Sequence, residues 1–183
     1  MLKVLEGKSV NLRVMEKEDL LLYNEWYNNP DFLGEYFSPY QRSRTQMEKV
    51  MFEPSPHEFK DFIIEKKDGT RIGFVTSFYV LQPPEKVLEM GYALIPSERG
   101  KGHCTEAAQI MVDYLFLTKE VPCIQAATDV RNVASQRVLE KAGFKREGIM
   151  RKRFYSRGEW RDLTLFSILR EEWKEPKILT RTA

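Results

Sequence analysis

At 183 residues the chain is long enough for one well-cored domain and short for two. Hydrophobic residues at 42% and aromatics at 12% argue against a disordered chain, and 29 basic against 27 acidic residues leave a net charge of +2 that argues against a general nucleic-acid coat. Two cysteines, Cys104 and Cys123, and two histidines, His57 and His103, supply neither a disulfide framework nor a spaced metal set.

From the N-terminus, MLKVLEGKSVNLRV shows no apolar leader segment or small-residue cleavage site, and no apolar run approaches the roughly 18 residues of a membrane span. A soluble, cytoplasmic chain is expected. Residues 9–14 (SVNLRV) alternate polar and apolar, as a half-buried strand does. A helix is predicted over 17–28, with Leu20, Leu21, Tyr23, Trp26 and Tyr27 as its apolar surface and Pro30 closing it. Residues 31–40 (DFLGEYFSPY) are aromatic and turn-rich, and a short helix is predicted over 45–51. Residues 61–67 and 71–80, joined by Asp68-Gly69, form a hairpin, since Asp-Gly suits a turn with positive φ.

Gln82-Pro83-Pro84-Glu85 makes a further turn before the strand 87–95 (VLEMGYALI). The helix predicted over 105–117 places Ala108, Met111, Val112 and Leu115 on one face. A strand over 123–130 follows, then a helix over 132–142 with Asn132 at its N-cap and Gly143 just past its end. Strands over 144–153 and 160–169 close the chain, and 174–183 read as a loose tail of one domain spanning 1–183. The order β-α-α-β-β-β-α-β-α-β-β predicts an α+β fold, a mixed, mostly antiparallel sheet flanked by helices.

The most informative stretch is SERGKGHCTE, residues 97–106, between a strand and a helix. Three readings compete: a loop that grips an anion, a Cys–His nucleophile pair, and an ordinary basic turn. Helix N-termini present unpaired N–H groups and a partial positive charge, so they bind phosphate. Gly100 and Gly102 let the backbone come close to a ligand, while Arg99 and Lys101 add charge. The loop is neither a Walker loop nor GxGxxG. His103 and Cys104 are adjacent on a helix and point apart, which disfavours a nucleophile pair. The cysteine reads as a small packing residue whose helix-start position would lower its pKa and expose it to oxidants.

Arg99-Gly100-Lys101-Gly102-His103-Cys104 resembles the R-x-x-G-x-G/A loop of the GNAT superfamily of N-acetyltransferases, with cysteine where glycine or alanine is usual. Asn132-Val133-Ala134-Ser135, followed by Val138-Leu139-Glu140-Lys141-Ala142-Gly143-Phe144, resembles that family's second signature. The opening GKSVNLRVMEKEDL and the ending GEWRDLTLFSILREEW are similar to the branch that includes the RimJ and RimL ribosomal-protein acetyltransferases.

The resemblance implies a splayed strand pair at the site of acetyl-coenzyme A. The donor would be held by backbone groups at Leu94 and Ile95, by the loop Arg99, Gly100, Lys101, Gly102, His103, Cys104 and Thr105, and by Asn132 and Ser135. It implies direct attack of an amine on the thioester, with the oxyanion stabilised by N–H groups near Leu94 and Ile95. Glu89, opposite in face to Leu88 and Met90, is the first candidate for the base, and Asp129 the second. Many members carry a tyrosine as the acid where this chain has Leu139, so Ser135 is the candidate donor to the thiolate; the competing reading makes it a helix-start residue bonding back to Asn132. Tyr36 and Phe37, in the segment 33–40, and Tyr155 are candidates to wall the acceptor pocket. That branch keeps an acidic residue near position 155, which this chain lacks.

The acceptor's own pKa is a guide. At pH 7.5 an α-amine of pKa about 7.8 is roughly one-third neutral, and a lysine of pKa about 10.4 only ~0.1% neutral. A site without a strong base therefore suits a protein or peptide N-terminus. A small-molecule amine or polyamine acceptor, and a non-catalytic acyl-CoA-binding module, remain the alternatives. No metal, nucleic acid or membrane is expected, and a homodimer is left open.

Overall fold

The computed structural model describes residues 4–39, 41–82 and 85–178. Eight strands form one sheet: β1 (Val4–Glu6), β2 (Val10–Val14), β3 (Lys60–Lys66), β4 (Arg71–Gln82), β5 (Glu85–Leu94), β6 (Cys123–Asp129), β7 (Lys145–Ser156) and β8 (Glu159–Leu169). Their spatial order is β1-β2-β3-β4-β5-β6-β8-β7, and every pairing is antiparallel except β5 with β6. The helices are α1 (Leu20–Asn28), α2 (Pro30–Leu33), α3 (Arg44–Phe52), α4 (His103–Thr118) and α5 (Val133–Ala142). Single 3-10 turns precede α1 (Lys17–Asp19) and follow β5 (Pro96–Glu98).

The α+β architecture is the one expected, with two elements added. β1 is too short to show alternation. Pro30 does close the first helix, but by opening the next: it stands at the first position of α2, where its missing N–H costs nothing, and Asn29 Oδ1 accepts from the amides of Asp31 and Phe32. Leu21, expected on the apolar face of α1, is exposed, while Leu20, Tyr23 and Trp26 are buried. The turn at 82–85 includes Pro83 and Pro84, which lie outside the described residues, as does Tyr40.

Two cores lie on the two faces of the sheet. On one, α4 and α5 cover Val10, Leu12, Phe62, Leu88, Met90 and Phe166. On the other, α1, α2 and α3 cover Ile63, Phe74 and Ala93. Because side chains alternate along a strand, Leu88, Met90, Tyr92 and Leu94 of β5 face α4 and α5, and Glu89, Gly91 and Ala93 face α1–α3. Burial on α4 is wider than the predicted stripe, extending to Ala107, Ile110, Asp113 and Phe116.

Ile110 lies against Gly7 and Phe116 meets the ring of Trp173, while the polar member of the widened face is Asp113. It is buried, and its carboxylate accepts from Trp173 Nε1 at 2.8 Å, from Lys177 N at 3.1 Å and from Ile178 N at 2.7 Å. The segment expected to hang loose is therefore anchored along α4 as far as Ile178; residues 179–183 lie outside the described residues.

Candidate active site

The site begins where β5 and β6 part. They pair only at Leu88↔Ile124 and Glu89↔Gln125, although β5 runs on to Leu94 and β6 to Asp129. β4 holds β5 along its whole length, and β8 holds β6 likewise, so the two halves diverge as rigid units and leave a wedge-shaped opening. In an antiparallel ladder alternate residues turn their N–H groups toward the partner strand. Ile95 N donates to Ile72 O at 2.9 Å. By that alternation the amides of Ala93 and Gly91 also turn toward β4, and those of Leu94 and Tyr92 turn into the opening. Ile95 is thus corrected as a donor to the oxyanion, because its N–H is already spent; Leu94 keeps the expected orientation.

At the wide end of the opening lies the glycine loop. Gly100 has φ 76° and Gly102 φ 87°, and a Cβ added at either would meet nothing within 4 Å. Glycine is required here by backbone conformation, not by crowding. Gly102 is the N-cap of α4 and offers no side chain to the first turn, so the amides of His103, Cys104 and Thr105 have no side-chain cap among the described residues. The sixteen-residue helix ends here with its positive pole. Its seating is fixed by Glu106, whose carboxylate accepts the amides of Lys8 and Ser9 in the β1–β2 turn.

The loop's cations are placed differently from expectation. The guanidinium of Arg99 turns inward: Nε donates to Leu94 O at 3.0 Å, and one terminal nitrogen donates to Phe32 O at 2.6 Å and Asp31 O at 3.4 Å. It clamps α2 to the end of β5 and does not face an anion. Glu98 gathers Lys101 at 3.2 Å and Lys66 at 3.7 Å, with His103 Nδ1 at 3.4 Å, and the hydrogen bond from Lys101 does most to hold its carboxyl below the ordinary range. Beside the half-exposed Lys101 side chain, what the loop offers outward is backbone.

Cys104 packs against the α4–α5 core, and burial pushes its thiol up to about 12. The expected lowering by the helix start is overturned by desolvation, and a thiol held protonated is neither a nucleophile nor readily oxidised.

Asn132 caps α5, its Oδ1 accepting Ser135 N at 3.1 Å. The Ser135 hydroxyl does not bond back to that cap. It meets Tyr92 instead, whose Oη lies 3.0 Å from Ser135 Oγ and donates at 3.2 Å to Ser135 O when its hydrogen turns that way. Burial raises the Tyr92 phenol well above its usual range, so it stays protonated. Tyr92 escaped sequence reading because a tyrosine in strand alternation reads as packing. Leu139, at the position where the resemblance implies a tyrosine, is buried in the core.

Across β5 stands Glu89. Its Oε2 accepts from Gln125 Nε2 at 2.9 Å, at the last rung before the split. Burial raises its pKa, against lowering by the Gln125 amide and by the nearby charge of Arg153. A carboxylate so placed is a stronger base than one in water. Asp129, the second candidate, is differently engaged: Arg131 at 3.0 Å and Arg161 at 3.1 Å hold it ionised, below its usual range despite burial.

The segment carrying Tyr36 and Phe37 lies over the α1–α3 side of the opening. Tyr36 Oη donates to Arg131 O at 3.2 Å, Arg161 donates to Glu35 O at 2.9 Å, and Arg157 donates to Gly34 O at 2.8 Å. Phe37 is exposed. Tyr155, also exposed, meets Trp160 edge-on at 5.4 Å. No group of three or more His, Cys, Asp or Glu side chains among the described residues is arranged to hold a metal. No helix among them is long and apolar enough to cross a membrane.

A splayed sheet, uncapped amides at the open end and a carboxylate at the vertex coincide with a family match. Residues 9–145 match the acetyltransferase (GNAT) domain. The chain belongs to the GNAT family of N-acetyltransferases. It is 33% identical over 180 residues to the probable N-acetyltransferase YjcK of Bacillus subtilis, covering 91% of this chain and 97% of that one. Its fold is that of Mycobacterium smegmatis RimJ in complex with CoA-disulfide, with TM-score 0.78 at 24% identity over 96% of this chain and 88% of that one. Equally close is spermidine N-acetyltransferase from Vibrio cholerae in complex with CoA and spermine, with TM-score 0.78 at 22% identity over 91% and 99%. This GNAT enzyme is an N-acetyltransferase with acetyl-CoA as its donor.

Proposed function

We propose that this acetyltransferase transfers the acetyl group to the α-amine of a peptide or protein N-terminus, with Glu89 serving the amine from one face of β5 and Ser135, oriented by Tyr92, serving the sulfur from the other. The carrying observation is the situation of the carboxylates beside the opening. Asp129 is taken up by Arg131 and Arg161, and Glu159 lies 3.1 Å from Arg131 and 3.0 Å from Arg161. Glu89, with an amide for a hydrogen-bond partner, is left to face an amine. A single half-buried carboxylate not paired with an arginine suits a single α-amine; a polyamine carries several positive charges, and the other carboxylates beside the opening, Asp129 and Glu159, are already matched by Arg131 and Arg161.

In this reading the pyrophosphate of the donor lies against the backbone of Gly100–Thr105 and the first turn of α4. The acetyl thioester reaches through the wedge to the Glu89 face. Glu89 accepts a proton from the ammonium or attacking amine, directly or through water, and the nitrogen lone pair forms the new C–N bond. Negative charge gathered on the carbonyl oxygen is met by the Leu94 amide. The C–S bond breaks as the oxyanion collapses, and Ser135 Oγ–H supports the leaving thiolate, which is then protonated. A thiol of pKa about 8.5 needs only a weak donor.

The test is release of free thiol from acetyl-CoA with a panel of acceptors: free-amino peptides, the same peptides blocked at the N-terminus but carrying lysine, and spermidine. Turnover confined to free α-amines is expected. Preference for spermidine or for lysine side chains would overturn the acceptor class, and thiol release with none of them would favour a binding module.

A further inference from the structure

We infer that the β7–β8 hairpin is a docking surface for an acidic stretch of the acceptor polypeptide, next to the amine that is acetylated. This rests on the α-amine reading above. Between residues 145 and 162 the chain carries seven basic and three acidic side chains, a net +4, so that the other 165 residues together carry −2. The protein is nearly neutral as a whole, and its positive charge is concentrated on this hairpin.

The ladder between β7 and β8 is broken where the charge is densest. Met150 pairs with Leu163 and Phe154 with Arg161, so Arg151, Lys152 and Arg153 together oppose Asp162 alone. Lys152 has φ 48°, a conformation costly for a lysine, and its N–H donates to Asp162 Oδ1 at 2.8 Å. The bulge pushes three consecutive cations outward, and all three are exposed. Among the described residues, no carboxylate lies within ion-pair distance of any of them, whereas Lys145, Arg131 and Arg161 are all paired. Unpaired cations held on a raised, irregular piece of backbone are available to a partner.

Position links this surface to the reaction. The charge of Arg153 is felt at Glu89. Beside the bulge, Tyr155 and Trp160 stand exposed as an edge-to-face pair, a platform for the apolar part of a peptide. Trp160, Arg161 and Asp162 also line an open hollow of about 230 Å³ that runs to Asp129 and Arg131. A chain entering with its amine at Glu89 would pass over the bulge within its first few residues, well inside the Debye length of about 10 Å at 0.1 M salt. The interspersed Glu147, Glu159 and Asp162 make the patch narrow, which fits a short acidic peptide better than the continuous phosphates of a nucleic acid.

The experiment compares free-amino hexapeptides identical at residue 1 and carrying acidic, uncharged or basic residues after it, with alaninamide as a small uncharged acceptor. The wild-type enzyme should favour the acidic peptide over the uncharged one by about tenfold or more in kcat/KM, a ratio that falls toward one between about 50 and 500 mM salt. The exposed double substitution Arg151→Glu/Lys152→Glu should reverse the order and leave alaninamide turnover within about twofold. Equal use of acidic and uncharged peptides by wild type, or a preference that the substitution leaves intact, would overturn the docking surface while the α-amine reading stands. Displacement of the acidic peptide by a short RNA of lower dissociation constant would assign the surface to nucleic acid and likewise overturn it. If no α-amine is acetylated and another amine is, the underlying reading has failed. Should the double variant not fold, the salt series on wild type decides alone.

Discussion

The hydroxyl of Tyr92 lies 3.0 Å from Oγ of Ser135 and joins β5 to the first turn of α5 across the split in the sheet. Tyr92 has one hydrogen and two acceptors on Ser135. When it donates to Ser135 Oγ, the serine's own hydrogen is released to point elsewhere; when it donates to Ser135 O, the serine hydrogen returns to the phenol. The phenol therefore sets where the serine hydrogen can go, and as a group held protonated by burial it acts by orientation.

Tyr92→Phe should accordingly lower kcat by roughly three- to tenfold, the worth of one neutral hydrogen bond, with acetyl-CoA affinity and melting temperature near wild type. Ser135→Ala should lower kcat by at least as much. In the Ser135→Ala background the Tyr92→Phe change should cost almost nothing, since the positioning residue has lost what it positions. Additive losses in that double-mutant cycle would show that Tyr92 acts on packing and not through Ser135.

Glu89→Gln should reduce turnover by roughly tenfold to a thousandfold at pH 7, because loss of a general base commonly costs ~10²–10⁴ and water substitutes in part. Cofactor affinity should hold. Burial raises the Glu89 pKa, so wild-type kcat/KM should rise with pH through a value above the usual glutamate range, and the variant should lack that limb. The deficit should narrow toward pH 9, where an α-amine is mostly neutral. A deficit independent of pH would make Glu89 a positioning residue.

At Gly102 the reason for glycine can be separated from the presence of glycine. With φ 87° and open space around a modest side chain, conformation alone resists substitution. Gly102→Asn, which tolerates the left-handed region, should keep most affinity for coenzyme A, whereas Gly102→Ala and Gly102→Val should lose about tenfold or more for a strain of roughly 1–2 kcal/mol. Equal losses for asparagine and alanine in a calorimetric titration would point to contact rather than backbone.

Asp61 gives a pH signature of stability remote from the reaction. It is buried beside Tyr23, whose hydroxyl donates to it at 2.8 Å, and burial pushes it up to about 6 from 3.8. The folded state thus binds a proton more tightly than the unfolded state, so this carboxyl's favourable contribution is full below pH 3.8 and is lost as pH rises through about 6. That displacement corresponds to at most about 3 kcal/mol. Relative to Asp61→Asn, the wild type should lose stability in denaturant melts between about pH 4 and pH 7 and hold level above. A wild-type advantage that grows over that range would contradict the assignment.

Much of this protein was legible in its sequence because the signals are local. Alternation located β2, the Asp68-Gly69 turn marked the β3–β4 hairpin, helical spacing located α4, Asn132 and Gly143 bracketed α5, and the glycines of the 97–106 stretch marked a turn into a helix that only a left-handed backbone allows. Residue types also put Glu89 on the face opposite Leu88 and Met90. None of these requires knowing what is far away in the chain. Tertiary structure decided the rest, and in each case the reason is a partner distant in sequence. Arg99 became a clamp because Asp31 and Phe32 present carbonyls to it, and Cys104 became inert because the α4–α5 core closes over it. Asp129, already held ionised by its neighbour Arg131, gained a second partner in the distant Arg161, and the tail was tied down by Asp113 on α4. Ile95 was lost as a donor because Ile72 lies opposite, and Tyr92 gained Ser135 because the split sheet brings residues 43 positions apart within hydrogen-bond reach. A side chain's type sets what it can do, and only its long-range neighbours set its charge, its orientation and its freedom to do it.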